Sequence, residues 1–326
     1  MNIFVTGATG LIGTELVNEL VTRGHRIHFL SRDPLKDKYF KNKNVKFFLG
    51  DIVDKVSVEK AMTGCNYVFH LAGCTKIYTK KPENYYKINV KGTDNVLKTA
   101  QKLRIKKIIV TSTVGILGPS TEGLITEKTQ RKIDYFNEYE RTKSQAEKIT
   151  LENINRGQNI IIVYPTRVYG PGRMTDSNTV TRLIKQYSEG RLKFIPGNVS
   201  KIGNYVYIDD VVLGHILALE KGKSGEKFIL GGYNASNTDL FRTIDNILNR
   251  NFKIIRVPVF CIFIYSWVHV IISNLLGKPP RLTPAWVKRY LHNWSVSSEK
   301  AKRELGYNPT PLKTGIKNTL KWLEDF

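Results

Sequence analysis

The octapeptide TGATGLIG, residues 6 to 13, follows a short apolar run, NIFVT, and opens an amphipathic stretch, LIGTELVNELVTRG. Its glycines, Gly7, Gly10 and Gly13, are spaced for a tight turn, for a backbone close enough to touch a pyrophosphate, and for close packing of a helix on a sheet. Each of these requirements is met by a missing side chain, and the helix start beyond the turn offers free N–H groups to an anion. With 25 glycines in the chain such spacings also arise by chance. The position between an apolar strand and an amphipathic helix is what gives this one weight, and it predicts a dinucleotide-binding turn at the head of a parallel sheet.

The rest of the first half keeps that rhythm. RIHFLS, VKFFLG, NYVFHLA, KKIIVTS and NIIIVYP are near-continuously apolar, and helical stretches lie between them: VSVEKAMTG, ENYYKINVKGTDNVLKTAQKL and FNEYERTKSQAEKI. Strands apolar on both faces and separated by helices imply a doubly wound, Rossmann-type parallel α/β sheet. After about residue 164 the rhythm breaks into loops rich in Pro and Gly (PTRVYGPGR, FIPGNVSKIGN, GKPPRLTP) and short helices such as SSEKAKRELG and PLKTGIKNTLKWLED. The expected organisation is a dinucleotide-binding domain over 1–164, with 206–232 returning to it. A smaller, discontinuous C-terminal substrate lobe takes 165–205 and 233–326.

Composition bounds the partners. At 326 residues and 41% hydrophobic the chain has material for a large core. Its net charge of +23 invites nucleic acid, an anionic membrane surface or an anionic small molecule, although abundant Lys, Asn and Ile are also what AT-rich codon usage produces. No helix-turn-helix, zinc pattern or basic tail is visible, which argues against nucleic acid. Cys65, Cys74 and Cys261 lack metal-ligand spacing and form no even framework, so a reducing, cytoplasmic setting without a bound metal is expected. The N-terminus runs straight into a strand, with no secretion signal ahead of it. PVFCIFIYSWVHVIISNLLG, residues 258 to 277, touches the lower length limit of a membrane span, but Pro258, Tyr265, Ser266, His269, Ser273 and Asn274 interrupt it. It is expected to be a buried or substrate-covering helix, with peripheral docking on a membrane surface as the alternative and a spanning helix last.

Within FNEYERTKSQAEKI, Tyr139 and Lys143 stand four residues apart and therefore on one helix face. The spacing alone is weak, because Tyr39 and Lys43 repeat it in a basic loop with no chemistry around it. Only Tyr139 follows, by one loop, a buried strand that ends in hydroxyls: Thr111, Ser112 and Thr113 at the carboxyl edge of the sheet, where doubly wound folds bind ligands. A phenol of pKa about 10 needs help to titrate near neutrality, and an ammonium one turn away favours the phenolate. At the end of the second strand, HFLSRDP places Ser31 and Arg32 where a carboxylate would bind a ribose hydroxyl and an arginine a 2′-phosphate. NADP(H) is favoured, with NAD(H) held through Asp33 as the alternative. Asp51, at the end of the third strand, is placed to accept from the adenine amino group.

TGATGLIG, GDI at 50 to 52, HLAG at 70 to 73, INVKGT at 88 to 93, TSTVGILG, YERTK, PTRVYGPG and YVYIDDVV together resemble the extended short-chain dehydrogenase/reductase superfamily from end to end. The later segments are most similar to its dihydroflavonol-reductase and 3β-hydroxysteroid-dehydrogenase branch. The resemblance implies that Tyr139 is the general acid or base, that Lys143 holds the nicotinamide ribose, that Thr113 holds the substrate oxygen, and that Asn89 braces the site. Carried onto the same motifs, the implied cofactor contacts are Gly7, Thr9, Gly10, Leu11, Ile12, Gly13, Arg32, Asp51 and Ile52, then Leu71, Ala72, Gly73, Asn89, Thr111, Lys143, Tyr164, Pro165 and Arg167. The substrate contacts are Thr113, Tyr139 and Arg167. A homodimer packed through the helices at 83–103 and 136–156 is implied as well.

Three reactions divide such proteins. Dehydratases resembling the known type carry an acidic pair after the catalytic Thr, whereas Val114 and Gly115 follow Thr113 here. Reductases and 4-epimerases begin with the same hydride transfer and the same Tyr. Arg32 favours NADPH and net reduction, and PTRVYGPG puts Tyr164 and Arg167 at the outer positions of the epimerases' usual Arg-Pro-x-Asn, where Arg167 is placed to meet an anionic substrate. The expectation is an NADP(H)-dependent reductase of a ketone or aldehyde carbonyl, or the reverse alcohol dehydrogenase, on an anionic or hydrophobic small molecule. The alternatives are an NAD-dependent 4-epimerase of a nucleotide-linked or lipid-linked sugar and, further off, a non-catalytic dinucleotide sensor.

Overall fold

A computed structural model describes the chain except for Asp37, Ile77, Lys80, Arg281 and residues 175–177, 198–200, 277–279 and 325–326. In chain order the first half runs β1 (Asn2–Thr6), α1 (Leu11–Thr22), β2 (Arg26–Ser31), β3 (Val45–Leu49), α2 (Lys55–Met62), β4 (Tyr67–His70), α3 (Glu83–Tyr86), α4 (Gly92–Lys102), β5 (Lys107–Thr111), α5 (Glu138–Asn155) and β6 (Ile160–Pro165). The second half runs β7 (Arg167–Tyr169), α6 (Thr179–Ser188), β8 (Phe194–Pro196), β9 (Ile202–Tyr207), α7 (Ile208–Lys221), β10 (Lys227–Leu230), β11 (Tyr233–Ser236), α8 (Asn237–Leu248), β12 (Ile255–Val257), α9 (Val259–Leu276), α10 (Pro284–Tyr290), α11 (Glu299–Leu305) and α12 (Leu312–Glu324).

Seven parallel strands in the order β3-β2-β1-β4-β5-β6-β10 form the main sheet. Successive residues of β1 explain why the strands read as unbroken apolar runs. Ile3 and Val5 pack into the layer that holds α1 and α7, and Phe4 into the layer that holds α2 and α4. Both faces are covered, so neither face can be polar. The strand order reverses at β1, between β2 and β4, which leaves the crevice that such folds use for ligands at the carboxyl ends.

The glycine turn sits at that crevice. Gly7 has φ +70, and a Cβ there would stand 2.7 Å from the Ala72 amide nitrogen; one on Gly13 would stand 2.1 Å from the Gly7 carbonyl oxygen. The helix expected over residues 83–103 is interrupted by a π-helical turn at Lys87–Lys91, which carries the buried Asn89. Such turns mark places where a helix gives up regularity to aim a side chain.

The second half adds a three-stranded sheet (β7, β9, β11), a two-stranded pair (β8, β12) and helices around them. Its helices α6, α8 and α12 share one core with β1 and α1, and a smaller cluster, in which Trp294 and Val296 meet Val114, Ile116 and Leu117 directly after Thr113, fastens it to the sheet edge. One expectation fails here. The apolar segment at 258–277 forms α9 but is not buried: Phe260, Ile264, Trp267, Ile271 and Leu275 face outward, and its buried residues are Ser266 and Ser273. An apolar composition reads as a core helix because burial is the usual way to remove such a surface from water, and here the body of the protein does not remove it.

Candidate active site

Asn137 caps α5 by accepting from the Glu140 amide at 2.9 Å, which starts the helix so that Tyr139 lies in its first turn, beside the end of β5. Thr113 follows β5 and stays extended, its hydroxyl accepting from the Gly115 amide at 3.2 Å. The Tyr139 phenol stands near enough to the Thr113 hydroxyl for that hydroxyl to favour the phenolate. Tyr139 is half-buried, and burial pushes its phenol up to about 12; the Thr113 hydroxyl and the Arg289 guanidinium pull the other way. Arg289 is thus a positive charge that acts on this phenol. The Lys143 ammonium is buried behind the site and donates to the Thr111 carbonyl at 2.6 Å. Burial brings it down to about 8, against the pull of Glu147.

Asn89 ties these parts together. Its side-chain oxygen accepts from the Cys74 amide at 2.7 Å, and its side-chain nitrogen donates to the Thr142 hydroxyl at 2.9 Å. The loop after β4, the π-helical turn and the first turns of α5 are thereby held in one register.

The sequence reading missed Glu140, Arg131 and Arg289. Glu140 is buried and accepts from Arg131 Nη2 at 3.0 Å and from Arg289 Nε at 2.8 Å. Arg131 also donates to the Gly115 carbonyl at 2.6 Å, which anchors the loop that carries Thr113. Arg289 arrives from α10 and lies 4.2 Å from the centre of the Trp294 ring. A cleft opens beside Thr113, lined by Pro165, Thr166, Arg167, Asn204, Arg289 and Trp294 among others. No local pattern announces α10, so only the adjacency of Glu140 to Tyr139 offered a signal.

At the other end of the crevice, Arg32 is 68% exposed and stands 3.7 Å from Asp51. Asp33 turns away and caps the following turn by accepting from the Leu35 amide at 3.0 Å. Arg173, from the second lobe, reaches the glycine turn: its Nη1 donates to the Thr9 carbonyl at 3.0 Å, and its guanidinium lies over the Tyr39 ring at 5.3 Å. Tyr39, whose spacing to Lys43 imitates the Tyr139 pair, is hydrogen-bonded to Thr14 at 3.2 Å.

Several expected contacts are committed elsewhere. The Tyr164 side chain is wholly buried and donates to Glu147 at 2.6 Å, behind the site. The Thr111 hydroxyl meets His215 at 2.9 Å, which leaves its carbonyl to Lys143. Ile52 is buried against Gly92, and Leu11 points into the core. Gly7, Thr9, Gly10, Ile12, Leu71, Ala72 and Gly73 are half-buried at the crevice, Gly13 is buried against the Gly7 carbonyl, and Gly10 at the start of α1 presents no capping side chain. Glycines that tolerate no Cβ, a helix start without a side-chain cap and an exposed, loosely paired arginine just past β2 together fit a dinucleotide.

Comparison with known proteins agrees. Residues 3–231 match the NAD dependent epimerase/dehydratase family. A Synechocystis protein described as a dihydroflavonol 4-reductase is 28% identical over 99% of this chain and 94% of its own length. Among solved structures, gox2253 superposes with TM-score 0.82 at 31% identity, over 99% of this chain and 98% of its own. The UDP-glucose 4-epimerase of Thermotoga maritima, solved with UDP-glucose, superposes with TM-score 0.81 at 26% identity, over 100% of this chain and 99% of its own.

Proposed function

Because the chain belongs to the NAD dependent epimerase/dehydratase family and is an enzyme of the extended short-chain dehydrogenase/reductase superfamily, we propose that it is an NADP(H)-dependent oxidoreductase. It delivers hydride to a ketone or aldehyde carbonyl, or removes it from a secondary alcohol in reverse. The observation that carries this reading is the juxtaposition of Thr113 and Tyr139 at the carboxyl edge of β5, with the buried Lys143 one helical turn from Tyr139.

The dinucleotide, when bound, supplies or accepts the hydride. Thr113 and Tyr139 hold the reacting oxygen from two sides. Burial holds the phenol at about 12, so it is protonated at neutral pH and ready to donate, and Thr113 and Arg289 act to bring it back toward the range in which a general acid works well. Arg289 favours the phenolate and serves the reverse reaction, in which Tyr139 accepts the alcohol proton. Lys143, fixed by the Thr111 carbonyl, is assigned to the nicotinamide ribose. Support for NADP(H) comes from Arg32, which is exposed and only loosely paired, and from Asp33, whose carboxylate is occupied by the turn it caps. The substrate lobe is assigned to 165–205 and 233–326.

The competing reading is a 4-epimerase that keeps its cofactor. Denaturing the purified protein and identifying the released nucleotide decides between them. Stoichiometric NAD would overturn the reductase; an empty protein that binds NADPH more tightly than NADH, and oxidises it with members of a carbonyl panel, is the expected result.

A second feature bears on where the enzyme works. We infer that α9 lies in a membrane surface. Its outer face is apolar, with Leu275 81% exposed, while its protein-facing side carries Ser266, His269 and Ser273. A helix facing water is built the other way round. Both ends are tied to the body, through β12 at the start and a Tyr78 hydrogen bond to Asn274 near the end, so it lies along the surface. Exposed Lys253 and Arg256 precede it, and Lys278 and Arg281 follow in sequence, which suits anionic headgroups.

A further inference from the structure

We propose that Arg167 and Arg289 form an anion subsite that receives a carboxylate or phosphate of the substrate beside the carbon that exchanges hydride. The inference rests on the oxidoreductase reading and narrows its substrate to a hydroxy- or oxo-acid, or the corresponding phosphate ester.

Both guanidiniums line the cleft that Thr113 also lines. Arg289 is held by one edge only, Nε on Glu140 at 2.8 Å, with its plane near the Trp294 ring. Arg167 lies over the Tyr205 ring at 5.6 Å and donates to the Tyr205 hydroxyl at 3.4 Å. It also needs a bare backbone beside it: a Cβ on Gly203 would stand 2.4 Å from its terminal nitrogen. A long cation set on an aromatic platform and a glycine is a held group, and among the described residues it has no carboxylate partner.

The charge count makes the same point. Glu140 is shared by Arg131 and Arg289, and Arg167 has no such partner among the described residues, so one carboxylate stands against three guanidiniums. Arg167 and Arg289 are close enough to repel: burial and the charge of Arg167 both lower the proton affinity of Arg289. Holding like charges together in a half-dry cleft is costly unless an anion joins them. An arginine fork also binds carboxylate and phosphate oxygens in pairs, so the site selects by geometry as well as charge. With the reacting oxygen at Thr113 and Tyr139, the anion lies across the same open cleft from it.

The test does not depend on turnover. Trp286 and Trp294 flank Arg289, so tryptophan fluorescence reads the subsite directly. The protein is titrated at constant ionic strength with benzoate, phenyl phosphate and benzamide. Saturable changes with benzoate or phenyl phosphate are expected, with none for benzamide; whichever anion binds more tightly identifies the carboxylate or the phosphate as the natural group. Arg167→Gln and Arg289→Lys, checked for unchanged melting temperature, should each weaken anion binding by about tenfold or more. An equal response to benzamide, or anion binding unchanged in both variants, overturns the proposal. If anions bind but no carbonyl is reduced, the subsite stands and the oxidoreductase reading fails. If carbonyls are reduced with no preference for acids over their methyl esters, the reading stands and the subsite fails.

Discussion

Two helices of 18 residues, α5 and α9, invert one another. The sequence of α5 is rich in charge, and its buried side carries Glu140, Thr142, Lys143, Glu147, Thr150 and Asn153. Each of these has a partner: two arginines for Glu140, Asn89 for Thr142, Thr111 for Lys143, Ser112 and Tyr164 for Glu147, and carbonyls of the helix itself for Thr150 and Asn153. The sequence of α9 has no charge, and its apolar residues face out while two serines face in. Polar residues belong inside where a site needs them and every lone pair is met. Apolar residues outside call for surroundings that are not water. The difference teaches that composition says how much a helix could bury and leaves open against what.

The largest effect should come from the catalytic end of α5. Tyr139→Phe is expected to lower turnover by about 10²- to 10⁴-fold, the usual worth of a positioned acid or base, with NADPH affinity retained in a fluorescence titration. Turnover within a few-fold of the original would remove Tyr139 from the mechanism and leave α5 a purely structural helix.

The outer face of α9 comes next. Vesicles containing phosphatidylglycerol should retain the protein on flotation, and Ile271→Glu combined with Leu275→Glu should release it. Two large apolar side chains lost from a bilayer amount to on the order of 4 kcal/mol. If the double variant floats as the original does, or the original never binds, α9 faces some other partner and its comparison with α5 must be redrawn around that.

Much of this arrangement was legible in local pattern. The parallel sheet could be read because β1, β4, β5 and β6 are apolar on both faces, and the glycine turn because its spacing sits between a strand and a helix. Tyr139 and Thr113 come together, as the single loop between β5 and α5 suggested. What escaped had no local signature. Arg289 reaches the site only through the packing of α10 and Trp294, and α9 reads as core because an all-apolar run has no polar face to betray its direction. Tyr164 was misplaced for a related reason: every residue of β6 is buried, so no alternation tells which face a side chain takes.

Lys143 offers a test of how much function costs α5 in stability. Its pKa is brought down to about 8 in the folded state from an ordinary 10.5, so below pH 8 the folded chain carries a buried charge that the unfolded chain carries in water. The penalty, roughly 3 kcal/mol, is fully present below pH 8 and fades between 8 and 10.5 as the folded state releases its proton first. Lys143→Met should therefore melt at a higher temperature than the original at pH 7, while losing activity, and the gap should narrow above pH 8. A variant that melts lower at pH 7 would mean that the bond to the Thr111 carbonyl outweighs the cost of burial.

The inner faces supply the finest comparison. Thr142 donates within α5 to the Glu138 carbonyl at 2.7 Å and also accepts from Asn89, so Thr142→Ala leaves a buried amide short of a partner and should cost about 1–2 kcal/mol in urea unfolding. Ser273 meets only His269 of its own helix, at 3.2 Å, and Ala is the better helix former, so Ser273→Ala should change stability by less than about 0.5 kcal/mol or raise it slightly. The contrast follows from what each hydroxyl joins: Thr142 links α5 to Asn89 and through it to the loop that carries Cys74, whereas Ser273 links α9 to nothing but itself. Equal losses from the two substitutions would show that α9 is fastened to the body as firmly as α5, and its outward apolar face would then have to be explained without freedom to settle into a bilayer.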